Sequence, residues 1–152
     1  MFGISDKNIK LFMDYMKRAI ILAREVLGTT NPNPAVGAVI VKDGTIIGEG
    51  ATLPAGQEHA EIVALNKAGE QARGASLFTT LEPCSIYNLT PPCTKAIIDA
   101  QIKEVHAATL DPNPKVNGRG RSALQAAGID TYVGQESKDA GILYEGFSKK
   151  IR

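Results

Sequence analysis

The second half of the chain alternates between strand-like and helix-like segments, and this alternation limits its possible folds more than any other feature. The strand-like runs read GASLFTTL, IKEVHAATL and IDTYVG. Helical periodicity is found between and around them, over residues 59–72, from about residue 90, over residues 120–128 and over residues 138–151. Such alternation is typical of parallel strands that are joined by helices. The sequence therefore predicts an α/β fold whose mixed sheet carries helices on both faces.

The first half adds a helix and a hairpin. Apolar residues recur at helical spacing over residues 12–27, and Gly28 follows where a helix C-cap glycine belongs. Two β-branched runs, AVGAVIV and TIIGEG, are joined through Lys42, Asp43 and Gly44. An Asp-Gly pair between such runs indicates a hairpin. We therefore expect an antiparallel pair and five strands in total.

Size and charge restrict the class of protein. A chain of 152 residues that is 43% hydrophobic can bury one full core, so we expect a single domain over residues 1–152. The net charge of +1 is spread along the chain and predicts no basic surface for nucleic acid or membrane. Charged residues interrupt the first twenty positions, so neither a signal peptide nor a membrane span fits there. We therefore expect a cytoplasmic protein, in which the two cysteines do not form a disulfide.

Three residues have the composition of a catalytic zinc site. His59 is placed at the start of one predicted helix, Cys93 lies in the first turn of another, and Cys84 follows a strand. Catalytic zinc usually takes three protein ligands and keeps a fourth position for water. Helix N-termini at that edge of the sheet favour a thiolate over a thiol. We therefore predict that His59, Cys84 and Cys93 bind Zn²⁺.

Glu61 follows His59 by two residues, a spacing that directs it away from the metal but near its open position. A carboxylate there can take a proton from the zinc-bound water and pass it to a ring nitrogen and a departing amine. We therefore predict that Glu61 is the catalytic proton carrier. The pattern His-x-Glu followed by Pro-Cys and a second Cys resembles that of zinc nucleobase deaminases.

A narrower resemblance rests on six separated motifs. NPNPAVGAVIV, HAE, TLEPCS, TPPC, DPNP and NGRG occur in the order seen in the deaminase domain of the bifunctional riboflavin biosynthesis protein. The chain resembles that domain over nearly its whole length. The resemblance implies a three-layer αβα cytidine deaminase-like fold with a five-stranded sheet. It also implies hydrolytic deamination of 2,5-diamino-6-ribosylamino-4(3H)-pyrimidinone 5′-phosphate, self-association, and no reductase domain within residues 1–152.

The same resemblance assigns individual residues. His59, Cys84 and Cys93 match the zinc ligands, and Glu61 matches the proton carrier. Four further residues match positions that bind the substrate: Asn33, Ala60, Asp111 and Asn113. From the residues alone, the alternative is that Asn33, Asp111 and Asn113 form turns, because Asn and Asp hydrogen-bond to nearby backbone.

The chain departs from the family pattern at three places. Ile86 replaces a histidine, Leu89 replaces a basic residue that the resemblance implies faces the substrate phosphate, and Tyr144 replaces an asparagine. A leucine cannot bind a phosphate, so Arg119 is the candidate replacement, although both Arg119 and Arg121 are expected to face solvent.

Alternatives remain open at this point. The cysteines could simply be buried, with His59 capping a helix. The lost basic residue favours a related deaminase whose substrate is an unphosphorylated or different base or nucleoside. A deaminase acting on RNA needs a basic groove, which the charge pattern does not predict. A non-catalytic zinc module normally closes its site with a fourth protein ligand. His106 lies in an apolar strand and is expected to be a core or rim residue.

Overall fold

The computed structural model describes the backbone of residues 6–85 and 91–151 and the side chains of residues 15–85 and 91–145. A five-stranded sheet carries helices on both faces. In chain order the elements are α1 (Asp6–Glu25), β1 (Gly37–Lys42), β2 (Thr45–Ala51), α2 (Ala60–Ala68), β3 (Ser76–Thr79), α3 (Cys93–Asp99), β4 (Glu104–Ala107), α4 (Arg119–Ala126), β5 (Asp130–Val133) and α5 (Ser137–Ile151). Among these residues no helix combines the length and apolar character needed to cross a membrane.

The strands lie in the order β2-β1-β3-β4-β5. β1 is antiparallel to β2 and to β3, whereas β3, β4 and β5 are parallel. α1 packs on one face and contacts α5, while α2, α3 and α4 follow one another across the opposite face. The predicted hairpin and the mixed sheet are therefore confirmed, and the core lies between the sheet and these two helical layers.

Three element boundaries differ from the sequence-based expectation. α1 ends at Glu25, and a turn connects it to Gly28. Gly28 has a φ of +84°, which glycine adopts readily, but it lies three residues after the end of the helix. α2 ends at Ala68, and a 3₁₀ turn covers Gly69–Ala72. α3 begins at Cys93, so the two prolines precede the helix instead of lying in its first turn. Pro91 precedes a proline and therefore avoids helical dihedrals, and Pro92 is extended with ψ of 138°, so the helix starts one residue later.

Two glycines on β2 bring α2 close to the sheet. A Cβ atom at Gly50 would collide with the carbonyl oxygen of Ala60, and one at Gly48 would collide with that of Ala64. Only residues without a side chain permit this approach. The two glycines thereby allow the N-terminal part of α2 to pack directly against β2. This part of the helix carries the predicted metal ligand and the predicted proton carrier.

Candidate active site

Three metal-binding side chains lie together where α2 and α3 begin. His59 immediately precedes α2, Cys93 is the first residue of α3, and Cys84 lies in the loop after β3. Their donor atoms all lie within 4.8 Å of one another. The structure therefore brings together the three residues that the sequence selected as ligands, and within the described chain no fourth histidine, cysteine or carboxylate joins this cluster.

The imidazole of His59 directs Nδ1 toward both sulfur atoms. Nδ1 is 3.7 Å from Sγ of Cys84 and 3.3 Å from Sγ of Cys93. Tetrahedral zinc with ordinary bond lengths separates a nitrogen ligand from a sulfur ligand by about 3.6 Å. The donor spacing therefore fits zinc, and three donors leave the fourth coordination position for water, as in catalytic zinc sites.

Hydrogen bonds within the cluster favour the thiolate form of Cys84. The backbone N–H of Cys93 donates to Sγ of Cys84 at 3.2 Å. The hydrogen bond from the Cys93 thiol is the main cause that lowers the pKa of Cys84 to about 4. The same hydrogen bond, together with burial, raises the pKa of Cys93. A thiolate is the form of cysteine that binds metal, and the lowered pKa therefore favours Cys84 as a metal ligand at neutral pH.

Glu61 is the second residue of α2, and its side chain is only 3% exposed. Burial, followed by the nearby charge of Cys84, raises the pKa of Glu61 to about 7. A carboxyl group whose pKa lies near neutrality can both accept and donate a proton under physiological conditions. Glu61 shares one cavity with His59 and Cys84, so the predicted proton carrier and two predicted ligands face the same space.

That cavity has a volume of about 280 Å³ and is bounded by five segments of chain. Its wall is formed by Pro32, Asn33, Pro34, Val36, Thr52, His59, Glu61, Leu81, Glu82, Cys84, Asp111, Asn113 and Val116. Three of the four residues predicted to contact substrate therefore lie on the wall. The fourth, Ala60, is fully buried as the first residue of α2 and is not on the wall.

Asp111 and Asn113 shape their own loop as well as facing the cavity. Oδ1 of Asp111 accepts the backbone N–H of Asn113 at 2.8 Å, and Oδ1 of Asn113 accepts that of Lys115 at 3.0 Å. Burial raises the pKa of Asp111 above its ordinary value. The turn-forming interpretation and the position on the wall are therefore both present in the structure.

The remaining candidates lie away from the cavity wall. Arg119 is exposed at the start of α4, and Arg121 is half-buried on the same helix. His106 stacks between Phe78 and Tyr132, with ring centroids 4.6 and 5.0 Å apart, which confirms it as a residue of the core rim. Ile86 and Leu89 lie outside the described residues.

A buried carboxylate that the sequence did not single out joins two sides of the cavity. Glu82 is 5% exposed and accepts three backbone N–H groups. Its Oε1 accepts those of Asp111 and Gly118, both at 3.0 Å, and its Oε2 accepts that of Arg121 at 2.9 Å. Glu82 therefore fixes the loop that carries Asp111 and Asn113. The only feature of the sequence that could have indicated this role is that Glu82 is a charged residue in a segment without other charges.

Tyr144 fixes the other side of the cavity. Its hydroxyl donates to the carbonyl oxygen of Ala35 at 2.9 Å and lies 2.7 Å from the Thr80 hydroxyl, which in turn accepts the N–H of Gly37 at 3.1 Å. The side chain is buried, and this burial raises the pKa of its phenol. The structure thus accounts for the tyrosine that departs from the family pattern, because its hydroxyl ties α5 to the cavity segment around Ala35.

The fold and the donor cluster agree with the result of a family comparison. The sequence profile of the cytidine and deoxycytidylate deaminase zinc-binding region matches residues 11–109. The chain belongs to this family of zinc-dependent deaminases. Zinc is therefore its cofactor, and the cluster of His59, Cys84 and Cys93 is a potential site for it.

Individual relatives are more specific. RibD, a riboflavin biosynthesis protein of Aquifex aeolicus, is 52% identical over 142 residues, which cover 93% of this chain and 38% of that protein. The diaminohydroxyphosphoribosylamino-pyrimidine deaminase of Buchnera aphidicola is 49% identical, over 91% of this chain and 94% of the relative. The structure of Acinetobacter baumannii RibD has a TM-score of 0.90 at 48% identity, over 94% of this chain and 40% of that one. This chain therefore spans well under half the length of RibD, and the expected cytidine deaminase-like fold is confirmed.

Proposed function

We propose that this chain deaminates an aminopyrimidine by zinc-dependent hydrolysis and that its substrate is 2,5-diamino-6-ribosylamino-4(3H)-pyrimidinone 5′-phosphate. One observation carries the proposal: a buried glutamate faces the same cavity as a three-donor zinc cluster. The name of the Buchnera relative, which this chain matches over nearly the full length of both, supports the substrate.

In this proposal His59, Cys84 and Cys93 hold the metal. Zinc, when bound there, supplies Lewis-acid activation of the water that attacks the amine-bearing ring carbon. Glu61 accepts one proton from that water and delivers it to the adjacent ring nitrogen. It then accepts the remaining proton of the added hydroxyl group and delivers it to the departing amine. Water and the amine are thereby converted to a ring carbonyl and ammonia, and Glu61 ends the cycle in its starting state.

The substrate ring is held by the opposite wall. Asn33 and Asn113 offer amide donors and acceptors, and Asp111 offers a carboxylate, at the same cavity as Glu61. Ala60 does not line the cavity, so its proposed contact with the substrate rests on the family resemblance alone. A few directional polar groups on a mostly apolar wall are typical of sites that bind small heterocycles.

The test combines zinc content with ammonia release. Protein purified without added zinc should contain about one zinc per chain, as expected for a three-ligand site, and Cys93→Ser should lose it. With the proposed substrate the wild type should release ammonia, and the product should have one nitrogen fewer. Zinc near zero, or unchanged in Cys93→Ser, contradicts the ligand assignment. Zinc-loaded protein that releases no ammonia contradicts the proposed reaction.

Three broader expectations belong to the same proposal. All described strands form one sheet, which supports a single deaminase domain over residues 1–152. The two free cysteines serve as zinc ligands, and thiolate ligands are best preserved in the reducing cytoplasm. Self-association rests on family resemblance and is tested by light scattering of the purified protein.

A further inference from the structure

The described wall of the cavity carries carboxylates, and the basic side chain on it, His59, is a predicted zinc ligand. Three of its residues are carboxylates, Glu61, Glu82 and Asp111, and among the described residues no lysine or arginine lines it. The two zinc ligands that are cysteines each contribute one negative charge as thiolates, which together balance the two positive charges of a zinc ion. The metal therefore adds no net positive charge to this wall.

The basic residues that are nearest in the chain are placed elsewhere. Lys115 and Arg119 are exposed and neither belongs to the wall, although each lies within three residues of Val116, which does. The segment from residue 86 to residue 90 has the sequence IYNLT, which contains no lysine or arginine. Neither the described wall nor this stretch of sequence supplies a cation for a phosphate.

The size of the cavity leads to the same conclusion. Its volume of about 280 Å³ is just below the range of roughly 300–1,000 Å³ that is usual for small-molecule sites. Space of this size suits a single heterocycle. A phosphate dianion placed beside Asp111 would be desolvated next to a carboxylate without a cation to balance it. The phosphate is therefore better accommodated in solvent beyond the cavity.

We propose that the site recognises the aminopyrimidine ring alone and that the 5′-phosphate contributes little to binding. The proposal rests on the function proposed above and extends its substrate class from the phosphorylated compound to ribosylaminopyrimidines with or without the phosphate. A charge-assisted contact to phosphate typically changes affinity by roughly ten- to hundredfold. A site without one handles the phosphorylated compound and its dephosphorylated ribosyl counterpart with similar efficiency.

The test compares kcat/KM for these two compounds with the zinc-loaded wild type. The ratio should lie within about tenfold, and millimolar inorganic phosphate should leave the KM of either compound unchanged. A stronger preference for the phosphorylated compound, or competition by inorganic phosphate, overturns the inference and leaves the deaminase function standing. If neither compound releases ammonia, the proposed function fails and the inference fails with it.

A gain-of-charge variant tests the same inference from the opposite direction. Val116 is half-buried on the cavity wall, so Val116→Arg should raise the preference for the phosphorylated compound by roughly ten- to hundredfold, and high salt should reduce this gain. Ile142→Arg adds the same charge on α5, at a residue that is 60% exposed and away from the wall, and should leave the ratio unchanged. If a folded, zinc-loaded Val116→Arg protein has the same ratio of kcat/KM for the two compounds as the wild type, the inference is contradicted. The comparison of the two compounds with the wild type does not depend on either variant.

Discussion

The two sides of the cavity are built in different ways. On the metal side three of the four functional groups lie at helix starts, with His59 and Glu61 at the start of α2 and Cys93 at the start of α3, and Cys84 lies in the loop after β3. On the opposite side residues 32–36 and residues 111–116 lie outside the helices and strands. These loops are held by two buried residues, Tyr144 and Glu82, which bond to backbone groups.

This difference separates the reaction from recognition of the substrate. Packing of α2 against β2 sets the position of the proposed chemical groups, whereas a few hydrogen bonds set the position of the wall that meets the ring. Changes on the metal side should therefore lower kcat. Changes to the supports of the opposite wall should mainly raise KM, because they disturb ring binding while the zinc ligands and Glu61 stay in place.

The largest effect is expected for Glu61→Gln, which removes proton transfer without removing a ligand. We expect kcat to fall by roughly 10² to 10⁴, with zinc content and thermal stability close to those of the wild type. Steady-state ammonia release and metal analysis of the same preparation measure both quantities. Loss of zinc in this variant, or turnover near the wild-type value, would show that Glu61 has a different role.

Glu82→Gln should have the next largest effect on activity, and it should act on the loop wall opposite the metal. Glutamine keeps one acceptor oxygen but points an NH₂ group at a backbone donor, so at least one charge-assisted bond is lost, at a cost of about 1.5–3 kcal/mol in the free energy of unfolding. We expect KM to rise by roughly tenfold while zinc content is retained.

The matched control for Glu82→Gln is Glu70→Gln, which makes the same change at an exposed residue of the turn after α2. It should leave KM and stability unchanged. A fall in kcat without a rise in KM in Glu82→Gln would place Glu82 with the metal side and remove the distinction between the two walls.

Tyr144→Phe deletes only the hydroxyl that supports the segment around Ala35. The carbonyl oxygen of Ala35 then loses a buried donor, so the free energy of unfolding should fall by about 1–2 kcal/mol, with a smaller rise in KM than in Glu82→Gln. Denaturant unfolding and steady-state kinetics measure the two effects. Tyr132→Phe, at a residue that is 51% exposed, is the control and should be neutral. Equal effects in both variants would argue against a support role for Tyr144.

The smallest effect is expected at an ion pair that does not line the cavity, between Arg18 of α1 and Glu49 of β2, whose closest atoms are 2.7 Å apart. The hydrogen bond from Arg18 holds the pKa of Glu49 below its ordinary value of 4.5. A lowered pKa in the folded state means that the pair stabilises the protein above about pH 4.5 and loses this contribution as the pH falls further.

Both side chains are partly exposed, so the contribution should not exceed about 1 kcal/mol. We therefore expect Glu49→Gln to lower the free energy of unfolding slightly at pH 7, with the difference from wild type shrinking below pH 4.5, and to leave kcat/KM unchanged. Urea unfolding at a series of pH values measures this. A difference that grows toward acid pH would contradict the sign of the shift.

The sequence predicted the metal side better than the opposite wall, for a physical reason. Periodicity placed His59 and Cys93 at helix starts, and that was sufficient for them to converge with Cys84. Glu82 and Tyr144 hydrogen-bond to backbone groups. Every residue has a backbone, so the residue type of the partner gives no sign of such a contact. Glu82 reaches Asp111 across 29 residues, and Tyr144 reaches Ala35 across 109, so no local pattern could indicate either contact.

The glycines of β2 have a consequence for mutational scanning and for library design. Neither Gly48 nor Gly50 lines the cavity, yet any side chain at either position would push α2 outward and displace Glu61 with it. In a scan of single substitutions scored by activity, both positions should be as intolerant as Glu61 and the proposed zinc ligands, whereas exposed Thr45 and Ile46 on the same strand should tolerate change. A library intended to broaden substrate range should therefore leave both glycines fixed and vary the wall around Val116 instead.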